Sequence, residues 1–133
     1  MATGTFATAI NCMDGRVQGQ VADWLKDSTG AEYVDMINEP GADKLMADGS
    51  LSQREAIRAK VLISVQVHQS ATVAIVGHHD CAGNPVTKEE HLKHIRKAVE
   101  TVRGWNLPVR ILGLWVNEQW EVEPVVTDKP GAA

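Results

Sequence analysis

Short apolar runs rich in β-branched residues alternate along this chain with stretches of helical period, and this alternation constrains the fold more than any other feature. Residues 5–11, TFATAIN, read as a buried strand that stops at a loop containing Gly15. Over residues 17–28 the period lengthens: Val17, Val21 and Leu25 recur at every fourth position beside Trp24, and Gly30 supplies a C-terminal stop. Residues 31–38 form a second strand pattern ending at Glu39-Pro40-Gly41. Ser52 and Glu55 stand in the S-x-x-E arrangement that satisfies free backbone N–H groups of a first turn, so a helix is expected from there to about His68. Ile57, Val61, Val65 and His68 share its inner face, while Leu62, Ile63 and Val67 lead to the expectation of burial on more than one side.

Residues 71–77, ATVAIVG, read as a third strand. Thr87 and Glu90 repeat the capping-box pattern before a helix whose buried stripe is Leu92, Ile95, Val99 and Val102. Residues 109–116 follow as a strand. Residues 120–126 alternate like a half-exposed edge strand after a turn at 117–119, and the tail 127–133 is expected to fray. The order β-α-β-α-β-α-β-β implies one α/β domain over residues 1–133. Its three layers are a mostly parallel sheet of order 2-1-3-4, extended by an antiparallel edge strand, with helices on both faces. Ligands of such sheets gather beyond the carboxyl ends of the strands, where strand order reverses.

Composition narrows the partners. Of 133 residues, 44% are hydrophobic and 23% charged, the ordinary range for a chain that builds one core. Thirteen basic against seventeen acidic residues give a formal charge of −4, which argues against nucleic acid and anionic membranes as partners. No apolar run approaches the roughly 20 residues of a membrane span, and the first residues lack a signal-peptide layout, so a cytoplasmic address is expected. In that compartment Cys12 and Cys81 are expected as free thiols rather than a disulfide.

Those two cysteines sit where ligands are expected. Cys12 follows the first strand, and His78 and Cys81 follow the third; if these strands are neighbours, the three side chains converge. Two thiolates and an imidazole are donors that Zn2+ favours, and three protein ligands leave a fourth tetrahedral position open. A buried cysteine alone is more often a small hydrophobe, so the signal lies in the combination. Asp14 and Arg16 stand close by in Cys12-Met13-Asp14-Gly15-Arg16. Taken alone they are an ordinary ion pair; beside Cys12, Asp14 can reach the same metal while Arg16 holds it in a bidentate grip. Two thiolates cancel the formal charge of the metal, so its water should be less acidic than at an all-histidine site, and activity should rise with pH.

CxDxR at Cys12, Asp14 and Arg16, together with GHxxC at Gly77, His78 and Cys81, resembles the β-class carbonic anhydrases. The resemblance spans roughly residues 6–126, with Glu39-Pro40-Gly41-Ala42 and residues 113–122 loosely similar to a glycine-containing loop and a final hairpin of that family. It implies a zinc enzyme that reversibly hydrates carbon dioxide to bicarbonate by attack of zinc-bound hydroxide. Cys12, His78 and Cys81 would be the ligands, with Asp14 and Arg16 as the dyad that orients the hydroxide. Asp14 alternatively caps the metal in an inactive form. A homodimer or higher homo-oligomer is implied as well. Met13, Gly15 and Ala82 depart from the family's usual residues, and only Met1 to Thr5 stand where the family has a longer segment and a substrate-binding glutamine. The alternatives on the same residues are a carbon disulfide or carbonyl sulfide hydrolase, and a non-catalytic zinc- or bicarbonate-binding homologue.

Other residues draw plainer readings. His79 is expected to be exposed, His91 and His94 to lie on the solvated face of their helix, and His68 to be a satisfied histidine at a helix end. Trp24 and Trp115 fit core positions, whereas Trp105 and Trp120 are candidates for an interface.

Overall fold

In the computed structural model, which describes residues 3–128, the alternation resolves into five strands and four helices. β1 (Phe6–Asn11) leads through a 3-10 turn (Gly15–Val17) into α1 (Gln18–Thr29), which Gly30 closes in the left-handed conformation at φ 77°. β2 (Tyr33–Asn38) is followed by two helices, α2 (Ala42–Asp48) and α3 (Leu51–Leu62). β3 (Thr72–His78), α4 (Lys88–Arg103), β4 (Arg110–Val116) and β5 (Val122–Thr127) complete the domain. The sheet order is β2-β1-β3-β4-β5, parallel throughout except for β5, which runs antiparallel to β4 at the edge. This is the expected α/β topology.

The period-2 geometry of the central strands divides the core between the two sheet faces. Val73 and Ile75 of β3 point to one side, where they pack with Ile57 and Val61 of α3 and Val99 and Val102 of α4. Ala74 and Val76 point to the other, against Val21 and Leu25 of α1 and Leu112 and Leu114 of β4. With helices on both faces, β3 is buried along its whole length, which is why its sequence reads as an unbroken apolar run.

Four expectations are corrected. The helix start lies at Ser50 rather than Ser52: Ser50 Oγ accepts from Gln53 N and Gln53 Oε1 accepts from Ser50 N, an equally valid S-x-x-Q box that begins two residues earlier. The helix then ends at Leu62 and widens into a π-helical turn over Ile63–Val67. That extra residue per turn carries Ser64 and Val65 inward and leaves Ile63 and Val67 half exposed, at 56% and 50%. Ser64 Oγ donates to Asp35 and pairs with Thr8, so a polar contact occupies the side expected to be apolar. Third, His91 is 1% exposed and the His94 side chain 14%, with His94 Nδ1 2.9 Å from Asn84 Nδ2, so neither lies on a solvated face. Fourth, Thr127 belongs to β5, and Asp128 receives hydrogen bonds from Arg103 and the Ile111 N–H, so these two residues do not fray; the rest of the expected tail lies outside the described residues. His68 is satisfied as expected, by Asp35 at 2.7 Å and a stacked Phe6 ring. No helix of the described residues is long and apolar enough to cross a membrane.

Candidate metal centre

β1 and β3 are adjacent and parallel, so their carboxyl ends open side by side. Cys12 is the first residue beyond β1, His78 the last of β3, and Cys81 lies three residues further along the same loop. One potential ligand atom from each lies within 4.8 Å of those from the other two, and the two sulfurs are 4.0 Å apart. All three side chains are buried. His78 Nδ1 donates to the His79 carbonyl at 2.7 Å, which fixes the tautomer and leaves Nε2 as the acceptor. That Nε2 is buried and has no hydrogen-bond partner. A buried imidazole acceptor beside two thiols is costly unless something occupies its lone pair, and the donor set suits a thiophilic divalent cation.

The electrostatics run the same way. The Cys81 thiol donating to Cys12 holds Cys12 far below the ordinary cysteine range, at about 3, against the opposing effect of burial. The same bond and burial both push Cys81 up. The pair therefore keeps one proton between them, which a bound cation displaces. For His78, burial works downward, but the nearby Cys12 sulfur and the His79 carbonyl outweigh it and the net shift is upward. The backbone at Cys12 is held as well: its carbonyl accepts from Gln18 Nε2 at 2.7 Å and from Asn38 Nδ2 at 3.0 Å.

Asp14 caps the 3-10 turn, accepting from Arg16 N at 2.9 Å, and both of its oxygens are taken up by the Arg16 side chain, with Nε at 3.0 Å and Nη2 at 2.7 Å. Arg16 holds the Asp14 carboxyl low, at about 2. Asp14 does not join the three-donor cluster. Arg16 is itself held from beyond: Nη1 donates to Asp80 Oδ2 at 3.2 Å, Nη2 to the Asp80 carbonyl at 3.1 Å, and the guanidinium lies 4.4 Å from the centre of the Trp120 ring. His79 is exposed, as expected, with its ring edge-on to Trp120.

Behind the cluster stands a second polar group. His91 Nδ1 lies 2.6 Å from Asp43 Oδ2, Asn84 Nδ2 donates to Asp43 Oδ1 at 3.2 Å, and the His91 ring packs against Trp115. Asp43, Asn84 and His91 are each at most 1% exposed. Asn84 N also bonds to the Cys81 carbonyl, and Gly41 and Gly83 approach so closely that a Cβ on Gly41 would lie 2.5 Å from the Gly83 oxygen. The loop bearing Cys81 is thus fastened to α2 and α4. Sequence reasoning assigned no role to Asp43, Asn84, Asp80 or Trp120 at this site. The one available signal was the i, i+4 spacing of His91 and Ile95, which puts the histidine on the buried stripe. A groove of about 400 Å³ lined by Arg103, Leu107, Val109 and Ile111 lies at the amino ends of the strands, away from this chemistry.

Known proteins give the same picture. No curated protein matches the chain in sequence. Among solved structures, the carbonic anhydrase of Glaciozyma antarctica superposes with a TM-score of 0.61 at 16% identity, over 90% of this chain and 81% of that one. The Streptococcus mutans carbonic anhydrase gives 0.59 at 16% identity over the same shares. The tetrameric β-carbonic anhydrases of Sordaria macrospora give 0.54 at 13% identity, over 92% of this chain and 81% of theirs. At these identities the likeness establishes the fold. The sequence model of the family described as "Putative carbonic anhydrase" matches residues 2–126, nearly the whole chain, and with the buried Cys-His-Cys cluster at the strand ends it places this chain in that carbonic anhydrase family.

Proposed function

We propose that the protein binds one zinc ion through Cys12, His78 and Cys81 and catalyses the reversible hydration of carbon dioxide to bicarbonate and a proton. The observation that carries this is the convergence of three buried donor atoms within 4.8 Å at the ends of two adjacent parallel strands. Zinc, when bound, supplies a Lewis acid that acidifies water at its open position. The chain's own residues do the rest. Burial of Cys12, His78 and Cys81 keeps bulk water from competing with the donors. The Nδ1 bond to His79 points the His78 ring and places its proton on Nδ1, which leaves the Nε2 lone pair for a metal. Asp14, held ionised by Arg16, is an acceptor-only group that takes a hydrogen bond from the attacking water and so orients it.

The reading is tested by stopped-flow hydration of carbon dioxide with zinc-loaded protein between pH 7 and pH 9. Turnover above buffer that rises with pH is expected, because two thiolates leave the metal with little charge to acidify water. No rate above buffer across that range would sink the proposal. The proposal extends to a homodimer or larger homo-oligomer, the Sordaria enzymes being tetrameric; sedimentation of a single monomeric species at micromolar concentration would remove that part.

A further inference from the structure

Among the described residues, two non-glycine residues near the cluster have left-handed backbone, Asp80 at φ 56° and Trp120 at φ 62°, and both present their groups to Arg16. Bulky residues adopt this conformation at a cost, so their surroundings must enforce it. For Trp120 the enforcement is visible. Its N–H donates to the Asn117 carbonyl at 2.9 Å, and Asn117 Oδ1 receives the N–H groups of Gln119 and Glu121, which fixes the turn between β4 and β5. The turn thereby lays the indole over the guanidinium. From the opposite loop, Asp80 offers both its carboxylate and its carbonyl to the two terminal nitrogens of Arg16.

The arrangement solves a problem that the Asp14–Arg16 pair leaves open. Arg16 is 46% exposed, and a surface carboxylate–guanidinium pair is weak on its own. Asp14 is one residue removed from a neighbour of Cys12, close enough in the chain to turn toward a metal held there. We propose that Trp120 and Asp80 are positioning residues that fix Arg16 in the orientation that retains Asp14, so that the open metal position stays available to small ligands. The proposal rests on the zinc reading above. It adds that the β4–β5 turn, far from the ligand motifs in sequence, governs access to the metal through a chain of three contacts: Trp120 to Arg16, Asp80 to Arg16, and Arg16 to Asp14.

Two readouts test it. In metal-free, ¹⁵N-labelled protein, the Arg16 Nε–H is expected as a protected resonance in the wild type. Its solvent exchange should speed up about fivefold in Trp120→Gly, which accepts the same backbone conformation without the ring, and should be restored in Trp120→Phe. In cobalt-loaded protein, azide titrated against the visible absorption bands should bind about fivefold more weakly in Trp120→Gly and in Asp80→Gly, because the released Asp14 competes for the open position. Adding Asp14→Ala to either variant should abolish that loss, since the effect travels through Asp14. Unchanged Arg16 exchange in Trp120→Gly would overturn the proposal. So would an azide loss that persists in the Asp14→Ala background. Failure of the wild type to take up cobalt would instead defeat the metal reading, and the exchange measurement would still decide whether Trp120 holds Arg16.

Discussion

Two buried polar groups lie on either side of the Cys81 loop, and they are built to opposite plans. Asp43 and His91 face each other, and Asn84 ties Asp43 to the loop, so the carboxylate has its partners within the protein. Cys12, His78 and Cys81 are as deeply buried, yet the sulfurs have only a 4.0 Å contact to each other and His78 Nε2 has no partner. A carboxylate with both oxygens engaged stabilises the chain even though Asn84 Oδ1 beside it has no partner; donor atoms of three side chains that converge without partners form a receptor for something else. The contrast separates structure from chemistry within a single loop, and substitutions on each side should have different signatures.

The largest effect is expected at the receptor. Cys81→Ala should take zinc content from about one per chain to near zero and abolish carbon dioxide hydration, as measured by elemental analysis and stopped flow. Metal-free Cys81→Ala should unfold in urea within about 1 kcal/mol of the metal-free parent, because the bond lost is a 4.0 Å sulfur contact and Cys12 without it reverts to a neutral thiol. His91→Ala should reverse that pattern. Leaving Asp43 buried without its partner should cost about 3 kcal/mol of stability in urea, while the three donors remain in place. A large stability loss in metal-free Cys81→Ala, or none in His91→Ala, would break the distinction.

The junction between the two groups should give an intermediate result. Gly41 is left-handed at φ 59° and a Cβ there would meet the Gly83 carbonyl at 2.5 Å. Gly41→Ala should therefore destabilise by about 2 kcal/mol and weaken zinc binding as well, since Gly83 belongs to the Cys81 loop. Calorimetry and metal competition check the two parts; a change in only one would mean that the fastening does not reach the ligand.

The smallest effect belongs to Asp14. Its folded pKa, about 2, is depressed below the ordinary 3.8, so its pairing with Arg16 contributes stability that is fully present above about pH 4 and lost as the pH falls toward 2. Solvent screening keeps that contribution below about 1 kcal/mol. Asp14→Asn should thus be less stable than the parent at pH 7 by less than that amount, with the difference closing between pH 4 and pH 2 in urea titrations, whereas its hydration rate should fall much further. An equal loss of stability at pH 2 and pH 7 would contradict the assignment.

The same contrast explains what could be read from the sequence. Cys12, His78 and Cys81 were legible because ligand chemistry restricts residue type and because each motif abuts a run that is plainly a strand. The parallel order was legible because β3, covered on both faces, cannot alternate. Asp43 and His91 were not: the partners are far apart in sequence, and α2, which carries Asp43, has seven residues and opens at Gly41 without a side-chain cap. Neither periodicity nor a start signal marks so short a helix. The helix after it carried two overlapping boxes, Ser50 with Gln53 and Ser52 with Glu55, and the first is the one that forms. The π-helical turn that exposes Ile63 and Val67 likewise answers to Asp35 on a neighbouring strand, a contact that local pattern cannot display.

X-ray absorption at the zinc edge of the zinc-loaded protein tests the central claim most directly. Two sulfur ligands at about 2.3 Å and nitrogen or oxygen ligands at about 2.0–2.1 Å, including one imidazole, are the expected shell, with one sulfur lost in Cys81→Ala protein forced to bind at high zinc. A shell without sulfur, or protein that retains no zinc after exhaustive dialysis, would contradict the account.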